Sequence, residues 1–145
     1  MRNEINTPLT SINANASKQR ASATSTLLWI VQIMLALLFL FAGIMKLVTP
    51  IEVLLAQMAV PLPGLFVRFI GVVEVAGALG LIFPALLHVK AFLTPLAACG
   101  LALEMIGATA ITVIGMGVAP ALMPLIVGLL AVSIAYGRRQ SFRTV

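Results

Sequence analysis

Four long apolar stretches, interrupted only by isolated polar side chains, dominate the pattern along this chain. The first, 27–48, would reach about 33 Å as a helix at about 1.5 Å per residue, enough to cross a hydrocarbon core of about 30 Å. The stretches 65–83, 91–113 and 119–136 are similar, and runs of this length predict membrane-spanning helices. Segment 51–59 is too short to span. Thr49-Pro50 precedes it and Pro61-Leu62-Pro63-Gly64 stops it, so a short interfacial or re-entrant helix is expected there. A turn is expected from Pro84 to Lys90, and a tight glycine-containing connection over 114–118. Pro95 falls near a first turn, where proline is tolerated. The expected fold class is all-α: a polytopic membrane four-helix bundle with a short interfacial helix between spans 1 and 2.

Composition agrees with that pattern. Hydrophobic residues make up 61% of the 145 and charged residues 9%, with a mean hydropathy of +1.15. A soluble core cannot use so much apolar surface. The net charge of +5 would suit nucleic acid, but the basic residues sit in tails and short loops, so no nucleic-acid partner is expected. Three regions follow: 1–25 as a disordered cytoplasmic tail, 26–138 as the four-helix domain and 139–145 as a short basic tail. Segment 1–25 is rich in Ser, Asn, Thr and Ala and has no apolar period. It makes a poor signal peptide, because the apolar run after it is longer than an h-region and lacks a convincing cleavage site. With both termini inside, Arg2, Lys18, Arg20, Lys90, Arg138, Arg139 and Arg143 are cytoplasmic, leaving only Lys46 and Arg68 outside. Trp29 and Tyr136 then share the inner interface. The lone cysteine, Cys99, lies in an apolar run and is expected to be a packing residue.

The polar residues inside the apolar stretches carry the candidate chemistry. A charge near the middle of a membrane helix costs roughly 2.5–3.5 kcal/mol on insertion scales, so it faces protein and often serves function. Glu74 interrupts the second stretch, and Ile70, Gly71, Gly77, Ala78 and Leu81 surround it at helical spacing. Glu104 interrupts the third, flanked by Ala97, Gly100, Leu101, Gly107, Ala108 and Ile111. Lys46 closes the first, below Phe39, Ala42 and Gly43. Small residues on such faces allow close helix approach. Both carboxylates lie about 13 Å deep, and side chains lean toward their own helix N-terminus, so Lys46 and Glu74 should point at each other. One lysine then faces two carboxylates, with Glu74 as its expected partner. Secondary candidates are Gln32, an interhelical hydrogen-bonding side chain, and Arg68, an anchor at the outer interface. His88 has no second His or Cys near it to build a metal site. Nothing in the chain matches a nucleotide loop, a metal-ligand cluster or a Ser-His-Asp set. The bland alternative is that the three charges only specify helix packing.

FLFAGIMKLVTP, RFIGVVEVAGALGLIFPAL, LTPLAACGLALEMIGA and a final AYGRR, in that order, resemble the DoxX-like family of small four-helix membrane proteins over roughly 27–139. The resemblance implies a four-helix bundle in a bacterial cytoplasmic membrane. Some relatives belong to sulfur-oxidising or quinone-linked oxidoreductase complexes, which makes a quinone the one cofactor implied. Lys46, Glu74 and Glu104 match recurring polar positions of the family. Relatives often carry a histidine shortly after the M-x-G-A motif, where this chain has Thr112, so a step that depended on it would be missing here.

The leading expectation is an accessory or redox-associated membrane subunit whose Lys-Glu-Glu centre handles a small quinone-like or polar ligand, or a proton. Whether the chain is itself an enzyme stays open. The rivals are a small proton- or ion-coupled transporter, and a structural subunit that binds another membrane protein. The expected partners are the lipid bilayer and either a membrane protein or further copies of the chain.

Overall fold

The structure is a computed structural model and describes residues 7–58, 60–87 and 92–139. Residues 1–6, His88, Lys90 and 140–145 lie outside the described residues, and with them most of the expected Pro84–Lys90 turn and of the C-terminal tail. The described chain folds into five helices: α1 (Thr7–Val48), α2 (Ile51–Ala56), α3 (Gly64–Leu87), α4 (Leu93–Met116) and α5 (Val118–Gly137). Four are long and apolar enough to cross a membrane, the first over Ala23–Val48. This is the expected all-α membrane bundle with a short helix between its first two spans.

The chain divides into two compact units, Met1–Ile30 and Val31–Val145. In the first, the backbone is helical from Thr7 onward, upstream of the apolar stretch that begins at Leu27. No proline or glycine follows Pro8 in this unit, and Ala, Lys, Gln and Arg favour a helix. The second unit contains the bundle. Its core is built from Leu35, Ala36 and Phe39 of α1, Ala78 and Leu81 of α3, Ala98, Leu101 and Ala102 of α4, and Ala131 and Ile134 of α5. Several prolines are absorbed within helices rather than ending them. Pro95 occupies the first turn of α4, whose amides lack intrahelical partners anyway. Pro84 and Pro124 lie inside α3 and α5.

Pro84 departs from the expected turn, since α3 continues through it to Leu87. A proline inside a helix leaves the carbonyl four residues earlier without its amide. Here that carbonyl belongs to Gly80; the next one, of Leu81, takes side-chain donors from other helices, Gln32 Nε2 and Thr94 Oγ1. Both donors are buried. Such help from neighbouring helices is how membrane helices keep internal prolines.

Gly117 forms the connection between α4 and α5 by itself, at φ 94°. An L side chain rarely adopts that backbone. Its amide bonds back to the Thr112 and Val113 carbonyls at 3.1 and 3.2 Å, closing α4. So short a link folds α5 back along α4, and those two helices pack more extensively than α3 and α4 do.

Candidate functional site

Two glycines set the site. A Cβ on Gly43 would stand 2.7 Å from the Gly71 carbonyl oxygen, and one on Gly71 would stand 3.0 Å from Lys46 Cβ. Only glycine permits this crossing of α1 and α3, which places Lys46 one turn beyond Gly43 against Glu74, one turn beyond Gly71. Lys46 Nζ donates to both Glu74 oxygens, each at 2.7 Å. The Glu74 side chain is 3% exposed and that of Lys46 26%. The expected facing of the two residues is present. Because Lys46 lies in the last turn of α1, its charge also complements the negative end of the helix dipole.

Arg68 does something the sequence reading did not include. Its Nη1 donates to the carbonyl of Lys46, and its Nη2 to that of Thr49 at 2.8 Å. It therefore satisfies the open carbonyls at the C-terminus of α1 and ties that end to α3. The following helix, α2, is held against the start of α3, where a Cβ on Gly64 would approach Ile51 Cγ1 to 2.8 Å.

Glu104 lies beside this pair, within electrostatic reach of Glu74 and Lys46. Its Oε2 is buried with no hydrogen-bond partner among the described residues. The three ionisable residues are thus brought together. Gln32 is not part of the group. It is fully buried beneath Leu81, and its Oε1 too has no partner among the described residues. Thr112 stands further along α4, with its hydroxyl donating to the Ala108 carbonyl at 2.7 Å.

The site also holds a cavity that the sequence did not reveal. It measures about 660 Å³ and is lined by Phe66, Phe69, Ile70 and Val73 of α3, and by Leu103, Met105, Ile111, Thr112 and Met116 of α4. Lys46, Glu74 and Glu104 line it as well, and Gln57, Met58, Val60 and Leu62 contribute from the segment after α2. The geometry is a wedge. Below Glu74 the two helices are in close contact: a Cβ on Gly77 would run into Leu101, and one on Gly80 into Ala97. Beyond Glu74 and Glu104 they enclose space. Gly100 and Gly107 line that space, and nothing lies within 4 Å of a Cβ on either. Gly100 and Gly107 beside Glu104 therefore make room, whereas Gly71 and Gly77 beside Glu74 bring helices together. Phe69, Leu103 and Met116 remain exposed along the cavity, so its rim faces the surroundings of the bundle. Cys99 is exposed on α4, not packed inside as expected, and no part of it enters the cavity lining.

The fold and site define an integral membrane protein: four apolar spans, a lysine–glutamate pair that joins α1 to α3, and a second glutamate beside an apolar cavity. The chain belongs to the DoxX-like family, whose model matches residues 30–134. Neither a curated protein nor a solved structure matches it.

Proposed function

We propose that this protein binds a small lipid-soluble molecule, seating its polar head at Lys46, Glu74 and Glu104 and its apolar body between α3 and α4. The observation that carries this reading is the cavity itself. At about 660 Å³ it falls in the range of roughly 300–1,000 Å³ typical of small-molecule sites, with apolar walls and a few converging polar groups. A purely structural ion pair does not need a void beside it. A quinone-like ring suits these dimensions and the Phe and Met walls, and the family resemblance favours an accessory or redox-associated subunit over a free-standing enzyme. A quinone bound there would supply reversible redox chemistry. The chain's own residues would hold its ring, orient its oxygens toward the Lys46 ammonium and keep water from them.

Native mass spectrometry of protein extracted in mild detergent tests the reading. A retained molecule of ligand size is expected in wild type and absent from Gly107→Ile, whose side chain enters the open space at Gly107. If neither retains one, and no quinone copurifies, the binding role fails. Flux of protons through liposomes that stops in Glu104→Gln would instead support the transport reading.

The proposed orientation has both termini in the cytoplasm, supported by seven of the nine Lys and Arg residues lying on that side. Reporter fusions after Ser25, Pro63, His88, Gly117 and Val145 should read in, out, in, out, in. An external C-terminus would overturn the orientation.

A further inference from the structure

The charges around the cavity do not balance. Among the described residues that line it, two are carboxylates and one is basic. Lys46 Nζ is engaged with both oxygens of Glu74, so those two charges offset each other. Glu104 is the one left over. Arg68 does not compensate it, because its guanidinium lies outside this lining and donates to the Lys46 and Thr49 carbonyls. Glu52 of α2 is exposed and outside the lining, and α5 brings no ionisable group to it. Glu104 Oε2 is shielded, so the surplus acts through charge rather than contact, and in a water-poor setting charge is felt across several ångströms. A metal ion would need several oxygen or nitrogen ligands, and no group of three His, Cys, Asp or Glu occurs among the described residues. The walls favour an organic cation instead, since Phe66 and Phe69 present aromatic rings. Room for a bulky head exists beside Glu104, where Gly100 and Gly107 both look into open space.

We propose that the cavity accepts a lipophilic organic cation, an apolar body with an amine or quaternary ammonium head, in exchange for a proton held by the Glu74–Glu104 pair. This rests on the cavity being a binding site for a lipid-soluble molecule, and it concerns the charge of the head. The surplus carboxylate is balanced by a proton when the cavity is empty. As the cation arrives that proton passes to water, so the centre carries no net charge in either state. An anionic head would meet two carboxylates and is disfavoured.

The test uses the full chain in lipid nanodiscs and a matched pair of radiolabelled probes, a 4-alkylphenyltrimethylammonium ion and the 4-alkyl-tert-butylbenzene of the same shape. They differ in charge, and neither donates a hydrogen bond. Empty discs and discs with Gly107→Ile correct for partition into lipid. The cation should bind wild type about tenfold more tightly than its neutral isostere, and more tightly still as pH is raised, because protons then compete less. In Glu104→Gln the preference and its pH dependence should both disappear. Equal binding of the two probes to wild type, lost in Gly107→Ile, overturns the cation preference while leaving the binding site standing. A preference that survives in Glu104→Gln overturns the role of Glu104, and absence of saturable binding for either probe overturns the site itself. Should Glu104→Gln fail to fold, the wild-type ratio and its pH dependence still decide.

Discussion

Glu74→Gln is expected to destabilise the bundle much more than Glu104→Gln. Glu74 is nearly fully buried and accepts both hydrogen bonds from Lys46 at 2.7 Å. Removing one member of a buried ion pair leaves the other charge without compensation, at roughly 3–5 kcal/mol. Lys46 keeps about a quarter of its side chain exposed, which puts the expected loss near the low end of that range. Glu104 has no lysine directed at it, and its Oε2 makes no hydrogen bond among the described residues. A neutral amide of the same shape therefore removes little, about 1 kcal/mol or less. Thermal melts of the three proteins in one detergent check this. Equal losses, or a larger one for Glu104→Gln, would mean that Lys46 is not committed to Glu74.

The same substitution at two glycines should have opposite effects. Gly43→Ala places its methyl 2.7 Å from the Gly71 carbonyl and 2.8 Å from Val75 Cγ2. A backbone carbonyl cannot swing aside, so α1 and α3 must part. Overpacking of this kind costs about 1–3 kcal/mol, and larger side chains cost more. Parting also stretches the Lys46–Glu74 contact one turn away, so Gly43→Ala and Glu74→Gln should be less than additive in the double variant. At Gly107 nothing lies within 4 Å. There Gly107→Ala should be neutral or should stabilise, by up to about 1 kcal/mol, because alanine loses less entropy in a helix. Unfolding in a mixed detergent series would measure both. A Gly43→Ala protein as stable as wild type would show that the α1–α3 crossing is looser than described.

Much of the fold could be read from the chain because its determinants are local. About twenty apolar residues must become a helix in lipid, where each backbone amide needs a partner within its own segment. A single charge in such a segment stands out, and so Lys46, Glu74 and Glu104 were visible as candidates. Helix direction and side-chain lean were enough to set Lys46 opposite Glu74, because both depend only on each residue's position in its own helix. What a small residue faces depends on the neighbour across from it, and only the tertiary structure decided that. Gly43 and Gly71 bring α1 onto α3, and Gly77 receives Leu101, while Gly100 and Gly107 look into open space. All five read alike in the sequence. Pro84 reads as the start of a turn for a related reason: whether a helix survives a proline depends on its neighbours, and here Gln32 and Thr94 donate to the Leu81 carbonyl in the turn before it. Arg68 read as an interfacial anchor, since nothing local announces that the open carbonyls of α1 lie beside it. The charges of the site were written in the chain, and the cavity beside them arises from where α3 and α4 touch and where they part.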